Sequence, residues 1–219
     1  MIPVALAPEP ATFDAKVRQK GADAILELVG RAPSKPRRGR KRKVVAKRRD
    51  QIPSDDFPPY WREVLPEMRK AYQGRCAYLA MYLEPATGSS SVDHVVPRIR
   101  GWRLVYEWSN YRLAASLINS KKSDLELALD PCAIKPNLFA LDFVGMEVIA
   151  GPAATGAERK QVDDTIATLG LNAQDCVDQR SDYYLDYKAG DITLKWLEKR
   201  APFIAQELRR QHKLNAGDT

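Results

Sequence analysis

The chain contains two histidines, and one of them directly follows an aspartate. Asp93 and His94 stand just before Pro97, in a segment whose apolar residues predict the end of a strand. A neutral imidazole can take a proton from water at cell pH, and a carboxylate can hold a hard divalent cation. Because neighbouring side chains of an ideal strand point to opposite faces, a bend or bulge must bring both groups to one site.

Asn119 is the third residue of interest, since its amide oxygen is also a ligand of the kind that Mg²⁺ or Mn²⁺ prefers. Hydrolysis of a phosphodiester bond needs an activated water and a cation that stabilises the leaving oxygen. His94 would activate the water, while Asp93 and Asn119 would hold the ion. Simpler interpretations stay open: His94 as a structural histidine, Asp93 as its orienting partner or a turn cap, and Asn119 as an ordinary residue near a helix end.

Three short motifs in register resemble the signature of HNH endonucleases. They read Asp-His-Val-Val-Pro at 93–97, Asn-Tyr-Arg-Leu at 110–113 and Asn-Ser-Lys-Lys at 119–122. The resemblance covers about residues 76–122 of the 219. It implies a ββα-metal core, in which a β-hairpin is followed by a helix, and a nuclease that uses Mg²⁺ or Mn²⁺ to cleave DNA.

The resemblance also implies a role for each matched residue. His94 matches the general base, and Asp93 and Asn119 match the metal ligands. Asn110, grouped with His94 in the predicted catalytic set, matches an asparagine that ties down the loop through backbone hydrogen bonds. Lys122 matches a lysine that could contact phosphate, although it could equally be a solvated charge at a helix end.

Many HNH proteins hold a structural zinc ion with two CxxC pairs, and this chain departs from that pattern. Cys76 keeps the first position, whereas Leu79, Ala115 and Ile118 stand where the other three cysteines would be. Four thiolates cannot be assembled, so we expect apolar packing in place of a structural zinc. The chain's other two cysteines are far apart in sequence and predict free thiols rather than a disulfide framework.

A wider pattern at 76–78, 106–113 and 129–131 is similar to small HNH nucleases that accompany ATPases in bacterial anti-phage systems, such as the Septu nuclease. This similarity implies an ATPase partner and a role in antiviral defence. Two alternatives stay open. One is a non-catalytic nucleic-acid-binding or scaffold protein that kept the fold, and the other is a subunit whose helical tail docks the ATPase.

The net charge of +7 is concentrated in one segment. Residues 35–49 carry ten positive charges and no acid, so the rest of the chain has a net charge of −3. Such a segment can bind the phosphates of DNA by displacing counterions, or it can be a solvated linker. The predicted nucleic-acid-binding residues are Arg37, Arg38, Arg40, Lys41, Arg42, Lys43, Arg98, Lys121 and Lys122.

Four regions are expected around these motifs. They are an N-terminal segment with a short helix (1–34), a basic flexible linker (35–56), the HNH nuclease core (57–150) and a helical C-terminal region (151–219). The fold class is therefore α+β, with a ββα-metal core flanked by mostly helical segments. No apolar run is long enough to cross a bilayer and the start of the chain is a poor signal peptide, so we expect a cytoplasmic protein without a membrane partner.

The expected elements of the core run strand, turn, strand, loop and helix. They are a strand over 76–83, a turn at 87–90, a returning strand over 91–96 and a helix from Ser109 to Lys122. Elsewhere, helices are expected over 13–29, 61–72, 157–169, 174–188 and 191–212, the last split by Pro202. The aromatic side chains of Trp102, Trp108 and Tyr111 could stack on bases or pack in the core.

Overall fold

The computed structural model describes every residue of the chain except Arg37, and it is an α+β fold. The described residues form the helices α1 (Gln19–Leu28), α2 (Leu65–Ala71), α3 (Ser116–Lys122), α4 (Gly156–Leu169), α5 (Gln174–Ala189), α6 (Leu194–Arg200) and α7 (Pro202–Arg210). Their strands are β1 (Ser90–His94), β2 (Tyr111–Ala115), β3 (Phe139–Asp142) and β4 (Glu147–Ala150). The prediction for Arg37 lies outside the described residues.

A two-stranded antiparallel sheet lies beside the predicted site. β1 pairs with β2 so that Asp93 is opposite Arg112 and His94 is opposite Tyr111. Both strands are largely buried, which suits their valine, leucine and tyrosine side chains. α3 follows β2 without an intervening loop and contacts both strands, so the Asp-His and Asn119 motifs are carried by adjoining elements.

The expected boundaries of this region were wrong in two places. Residues 76–83 do not form a strand, because the Cys76 N–H bonds to the Met81 carbonyl and the chain folds back through Ala80, whose φ is 51°. Residues 111–115 form a strand rather than the first turns of a helix. Their pairing with 90–94 is a contact between distant parts of the chain, and such pairing overrides local helix propensity.

The N-terminal helix packs against the loop that joins β1 to β2. Gly21 of α1 is buried, and a Cβ atom added there would lie only 2.2 Å from the ring of Tyr106. Phe13 is also fully buried and contacts the rings of Trp108 and Tyr111 at centroid distances of 5.7 Å. Trp108 and Tyr111 therefore serve the core, where stacking on bases is not available to them.

The C-terminal half agrees well with the helices expected from the sequence. α4 begins with a capping box between Thr155 and Glu158 and ends at Gly170 in the left-handed conformation. The last predicted helix is indeed divided, with α6 ending before Pro202 and α7 beginning there. The β3–β4 hairpin was not expected, and no described helix is long and apolar enough to cross a membrane.

Candidate active site

A pocket of about 330 Å³ opens where β1 ends, and we call it the site pocket. Asp93, His94 and Asn119 all line it, so the structure brings together the three residues expected to act on a phosphodiester. Trp61 and Arg98 line it as well. The pocket is thus assembled from β1, α3, the loop after β1 and the turn before α2.

His94 has a defined tautomer. Its Nε2 lies 3.0 Å from the carbonyl oxygen of Val105. A carbonyl oxygen only accepts hydrogen bonds, so Nε2 must carry the hydrogen and Nδ1 of the neutral ring must carry a lone pair. No described residue makes a hydrogen bond to Nδ1. That atom is the only proton acceptor that this side chain can offer to a molecule in the pocket.

The surroundings of His94 keep the ring neutral. The side chain is 7% exposed and lies between the rings of Trp61 and Tyr111, at centroid distances of 4.8 and 5.1 Å. Burial lowers the pKa of His94 from 6.5 to about 3, and the nearby positive charges of Arg98 and Lys122 act in the same direction. The imidazole is therefore unprotonated across the physiological pH range.

Asp93 is almost fully buried and both of its carboxylate oxygens have a partner. Lys122 Nζ lies 2.9 Å from Oδ1, and the Tyr78 hydroxyl donates a hydrogen bond to Oδ2. Lys122 Nζ also donates to the main-chain oxygen of His94 at 2.6 Å. Tyr78 was not singled out as a site residue, although it lies in the Cys-Ala-Tyr pattern at 76–78 that extends the motif.

The geometry corrects the expectation that Lys122 contacts phosphate. Lys122 is 1% exposed, and its ammonium is used by Asp93 and the His94 carbonyl. A charged group that is removed from water must be paired inside the protein, and this one is. Lys122 therefore holds the end of β1 from the interior of the protein, and its Nζ does not face a substrate.

The two polar atoms of the Asn119 amide differ in their hydrogen bonding. Nδ2 donates a long hydrogen bond of 3.4 Å to the carbonyl of Val92, while Oδ1 has no partner among the described residues. The side chain is half-buried and lines the site pocket. An amide oxygen without a partner is a suitable ligand for a hard cation.

Asp93 and Asn119 carry oxygen atoms of the kind that Mg²⁺ or Mn²⁺ prefers. Each Asp93 oxygen accepts one hydrogen bond, and an ionised carboxylate has about four lone-pair sites, so the carboxylate keeps acceptor capacity beside the oxygen of Asn119. Mg²⁺ is usually bound by one or two protein oxygens, with water and phosphate completing its shell. The described residues contain no cluster of three histidine, cysteine or acidic side chains that could enclose a metal ion.

Asn110 holds the loop between β1 and β2 in shape. Its Oδ1 accepts from the N–H of Val96 at 2.8 Å, and its Nδ2 donates to the carbonyls of Val96 and Leu104, both at 3.1 Å. The side chain is buried, and all of its polar atoms are engaged. Asn110 is thus a positioning residue, placed to support the loop that carries Arg98.

Arg98 is the predicted nucleic-acid-binding residue that the structure brings into the site pocket. Its guanidinium lies over the ring of Trp61 at 5.3 Å and donates to the carbonyl of Ser54 at 2.8 Å. Its ion pair with Asp55 is 3.7 Å long, and the Asp55 side chain is almost fully exposed. An exposed partner is easily displaced, so Arg98 can turn part of its guanidinium towards a phosphate.

The other predicted nucleic-acid-binding residues that the structure describes lie away from this pocket. Lys121 is exposed but close to Gly170 at the end of α4. Arg42 pairs with Glu27 at 3.2 Å and donates to the Tyr60 hydroxyl at 2.7 Å. No described residue of 35–49 lines the site pocket, including Arg38, Arg40, Lys41 and Lys43.

Cys76 occupies the place expected from the zinc-binding pattern, but its neighbours are main-chain amides. Its buried sulfur accepts the N–H of Leu79 at 3.5 Å and that of Ala115 at 3.4 Å. These are two of the positions where zinc-binding proteins of similar pattern have cysteines. Burial raises the pKa of the Cys76 thiol, which favours the neutral form as a hydrogen-bond acceptor.

Comparison with known proteins adds no family to this description. No protein-family model matches the chain, and no curated protein matches it. The functional interpretation therefore rests on the motif resemblance and on the geometry of the site pocket.

Proposed function

We propose that this protein is an HNH-type endonuclease that hydrolyses DNA phosphodiester bonds with the help of Mg²⁺ or Mn²⁺. The observation that carries the proposal is the hydrogen bond between His94 Nε2 and the Val105 carbonyl oxygen. It leaves a neutral Nδ1 in a pocket that also holds the oxygens of Asp93 and Asn119. A proton acceptor beside two hard oxygen ligands is the set of groups that metal-assisted hydrolysis needs.

His94 acts as the general base in this proposal. Nδ1 accepts a proton from the attacking water, while Nε2 keeps its hydrogen bond to Val105 and holds the ring in orientation. The low pKa of the unliganded site ensures that the base starts unprotonated. A phosphate anion that enters the pocket favours the charged form of the ring and so raises its pKa towards the value that proton transfer requires.

Asp93 and Asn119 would hold the divalent cation, which would polarise the phosphate and stabilise the leaving oxygen. Lys122 forms an ion pair with the buried Asp93 side chain and fixes it in place. Arg98, which also lines the pocket, binds a non-bridging phosphate oxygen. Trp61 packs against His94 with the two ring planes at 90° and helps to keep bulk water from the imidazole.

The order of the elements also supports the proposal. β1, β2 and α3 follow one another along the chain. β1 ends with Asp93 and His94, β2 carries most of the motif at 110–113, and α3 carries the motif at 119–122. The resemblance to HNH endonucleases implies a strand–strand–helix order, and here 111–115 supplies a strand in place of the one expected over 76–83. The wider similarity at 76–78, 106–113 and 129–131 extends the proposal to the nuclease subunit of an anti-phage system that works with an ATPase.

Nicking of supercoiled plasmid DNA in the presence of Mg²⁺ tests the proposal. We expect His94→Ala to reduce the rate by about 10²-fold or more, because the general base is lost. His212→Ala is the matched control, since the other histidine is exposed and lies outside the pocket. Equal nicking by the wild type and His94→Ala would refute the role of His94.

A further inference from the structure

A second cleft, of about 450 Å³, lies between the end of the basic segment and the loop that follows β1. We call it the basic cleft. Its polar and aromatic lining consists of Arg31, Lys47, Arg48, Arg49, Asp50, Trp102 and Arg103. Arg31 and Arg103 were not among the predicted binding residues, whereas Trp102 was one of the aromatic residues expected either to stack on bases or to pack in the core.

The cations of the basic cleft are largely uncompensated. Arg48 pairs with Asp50 at 2.8 Å. Arg31, Lys47, Arg49 and Arg103 form no ion pair with any described residue, so the cleft has an excess of four positive charges. Cations that converge in this way can neutralise the phosphates of a polyanion, and the release of the counterions condensed on those phosphates favours binding.

Trp102 gives the basic cleft an aromatic surface among these charges. Its ring lies 4.6 Å from the Arg103 guanidinium carbon and 5.3 Å from that of Arg49. The indole is half-buried, so it is held in place yet reachable. Indole and guanidinium planes both provide stacking surfaces for nucleobases, and this stacking tolerates any base sequence.

The basic cleft and the site pocket are joined by one short and rigid piece of chain. Arg98 in the site pocket and Trp102 in the basic cleft are four residues apart, a span of at most about 14 Å. A strand of DNA advances about 3.4 Å per nucleotide along the helix axis, so about four nucleotides at most separate the two places. Asn110 ties down Val96 and Leu104, which bracket this piece of loop.

We propose that the basic cleft binds the sugar-phosphate backbone of the DNA strand a few nucleotides from the bond that is cleaved in the site pocket. The inference rests on the proposed function for the position of the scissile bond. Binding to the basic cleft itself requires no metal ion, because its ligand groups are guanidinium, ammonium and indole. Binding can therefore be measured apart from cleavage.

The test compares two double variants that remove the same amount of charge. Lys47→Gln/Arg103→Gln changes the basic cleft, and Lys195→Gln/Lys199→Gln changes two exposed lysines of α6, which lines neither cleft nor pocket. Binding of short fluorescent oligonucleotides, single-stranded and duplex, is followed by anisotropy in EDTA over a range of salt concentrations. For the cleft variant we expect weaker binding and a salt slope of log K smaller by about 1.8 for duplex and about 1.4 for single strands.

Each outcome has a defined meaning. A salt slope equal to that of the wild type, or equal losses in the two double variants, would overturn the inference. If the plasmid is cleaved normally while the Lys47/Arg103 variant binds as the wild type does, only the basic cleft is refuted. If the wild type binds oligonucleotides through the cleft but does not cleave DNA, the cleft stands and the proposed nuclease function fails.

Discussion

Lys122 Nζ and Asp93 Oδ1 lie 2.9 Å apart, and both side chains are buried, with 1% and 2% of their side-chain surface exposed. This ion pair joins the last helical turn of α3 to the end of β1. It explains why a lysine that looks like a phosphate contact in the sequence faces inwards. The first prediction concerns the contribution of this ion pair to the stability of the fold.

We expect Lys122→Met to lower the free energy of unfolding by about 3–5 kcal/mol, because Asp93 would stay buried without its counter-charge. Chemical denaturation measures the loss. Lys121→Met is the matched control, since the neighbouring lysine is exposed and should change stability by no more than about 0.5 kcal/mol. Similar losses in both variants would show that the buried ion pair does not stabilise the fold.

A second prediction concerns pH. The unfolded chain protonates His94 below its ordinary pKa of 6.5, whereas the folded protein keeps the ring neutral down to about pH 3. The folded state binds fewer protons in this window, so stability falls as the pH falls from 6.5 towards 3. The contribution of His94 approaches ~1.4 kcal/mol per pH unit.

The Met1 amino group changes stability in the same direction, because burial lowers its pKa to about 4. A comparison of variants is therefore needed to isolate the contribution of His94. We expect the acid-side slope of unfolding free energy against pH to be shallower in His94→Asn than in the wild type. His212→Asn should keep the wild-type slope. An unchanged slope in His94→Asn would mean that the ring is protonated in the folded protein.

A third prediction separates the two asparagines. Asn110→Ala removes three partly buried hydrogen bonds and leaves the Val96 N–H without a partner, so we expect a loss of about 2–4 kcal/mol in stability. Asn119→Ala removes only one long bond, to the Val92 carbonyl, and should cost less than about 1 kcal/mol. Thermal unfolding with and without Mn²⁺ should show that Asn119→Ala loses the stabilisation by the metal ion. Full stabilisation by Mn²⁺ in that variant would exclude Asn119 as a ligand.

A fourth prediction concerns Cys76 and zinc. One thiol that accepts two main-chain N–H groups cannot hold a structural zinc ion, so a zinc chelator should leave the unfolding midpoint unchanged. Cys76→Ala should cost about 1–3 kcal/mol, because the partly buried N–H groups of Leu79 and Ala115 would lose their acceptor. Cys132→Ala, at a half-buried cysteine outside this cluster, is the control. Destabilisation by the chelator would contradict our interpretation of the cluster.

Much of the helical structure could be predicted because it is coded locally. The capping box at Thr155, the terminal Gly170 and the break at Pro202 act over a few residues, and the structure has the expected helices there. Three of the residues that line the site pocket were also found from motif spacing. Asp93, His94 and Asn119 are of the types that the proposed chemistry needs, and their types are visible without a structure.

Other features depend on contacts between distant parts of the chain. The sequence does not show that 90–94 pairs with 111–115, because apolar runs of this length suit either a helix or a strand. It does not show that Lys122 turns inwards, that Tyr78 meets Asp93 or that Trp61 packs against His94. The sequence by itself determined the types of the site residues and the ends of the helices. Strand pairing and burial determined which side chains meet. Both depend on the tertiary structure, because they arise only when segments far apart in sequence exclude water together.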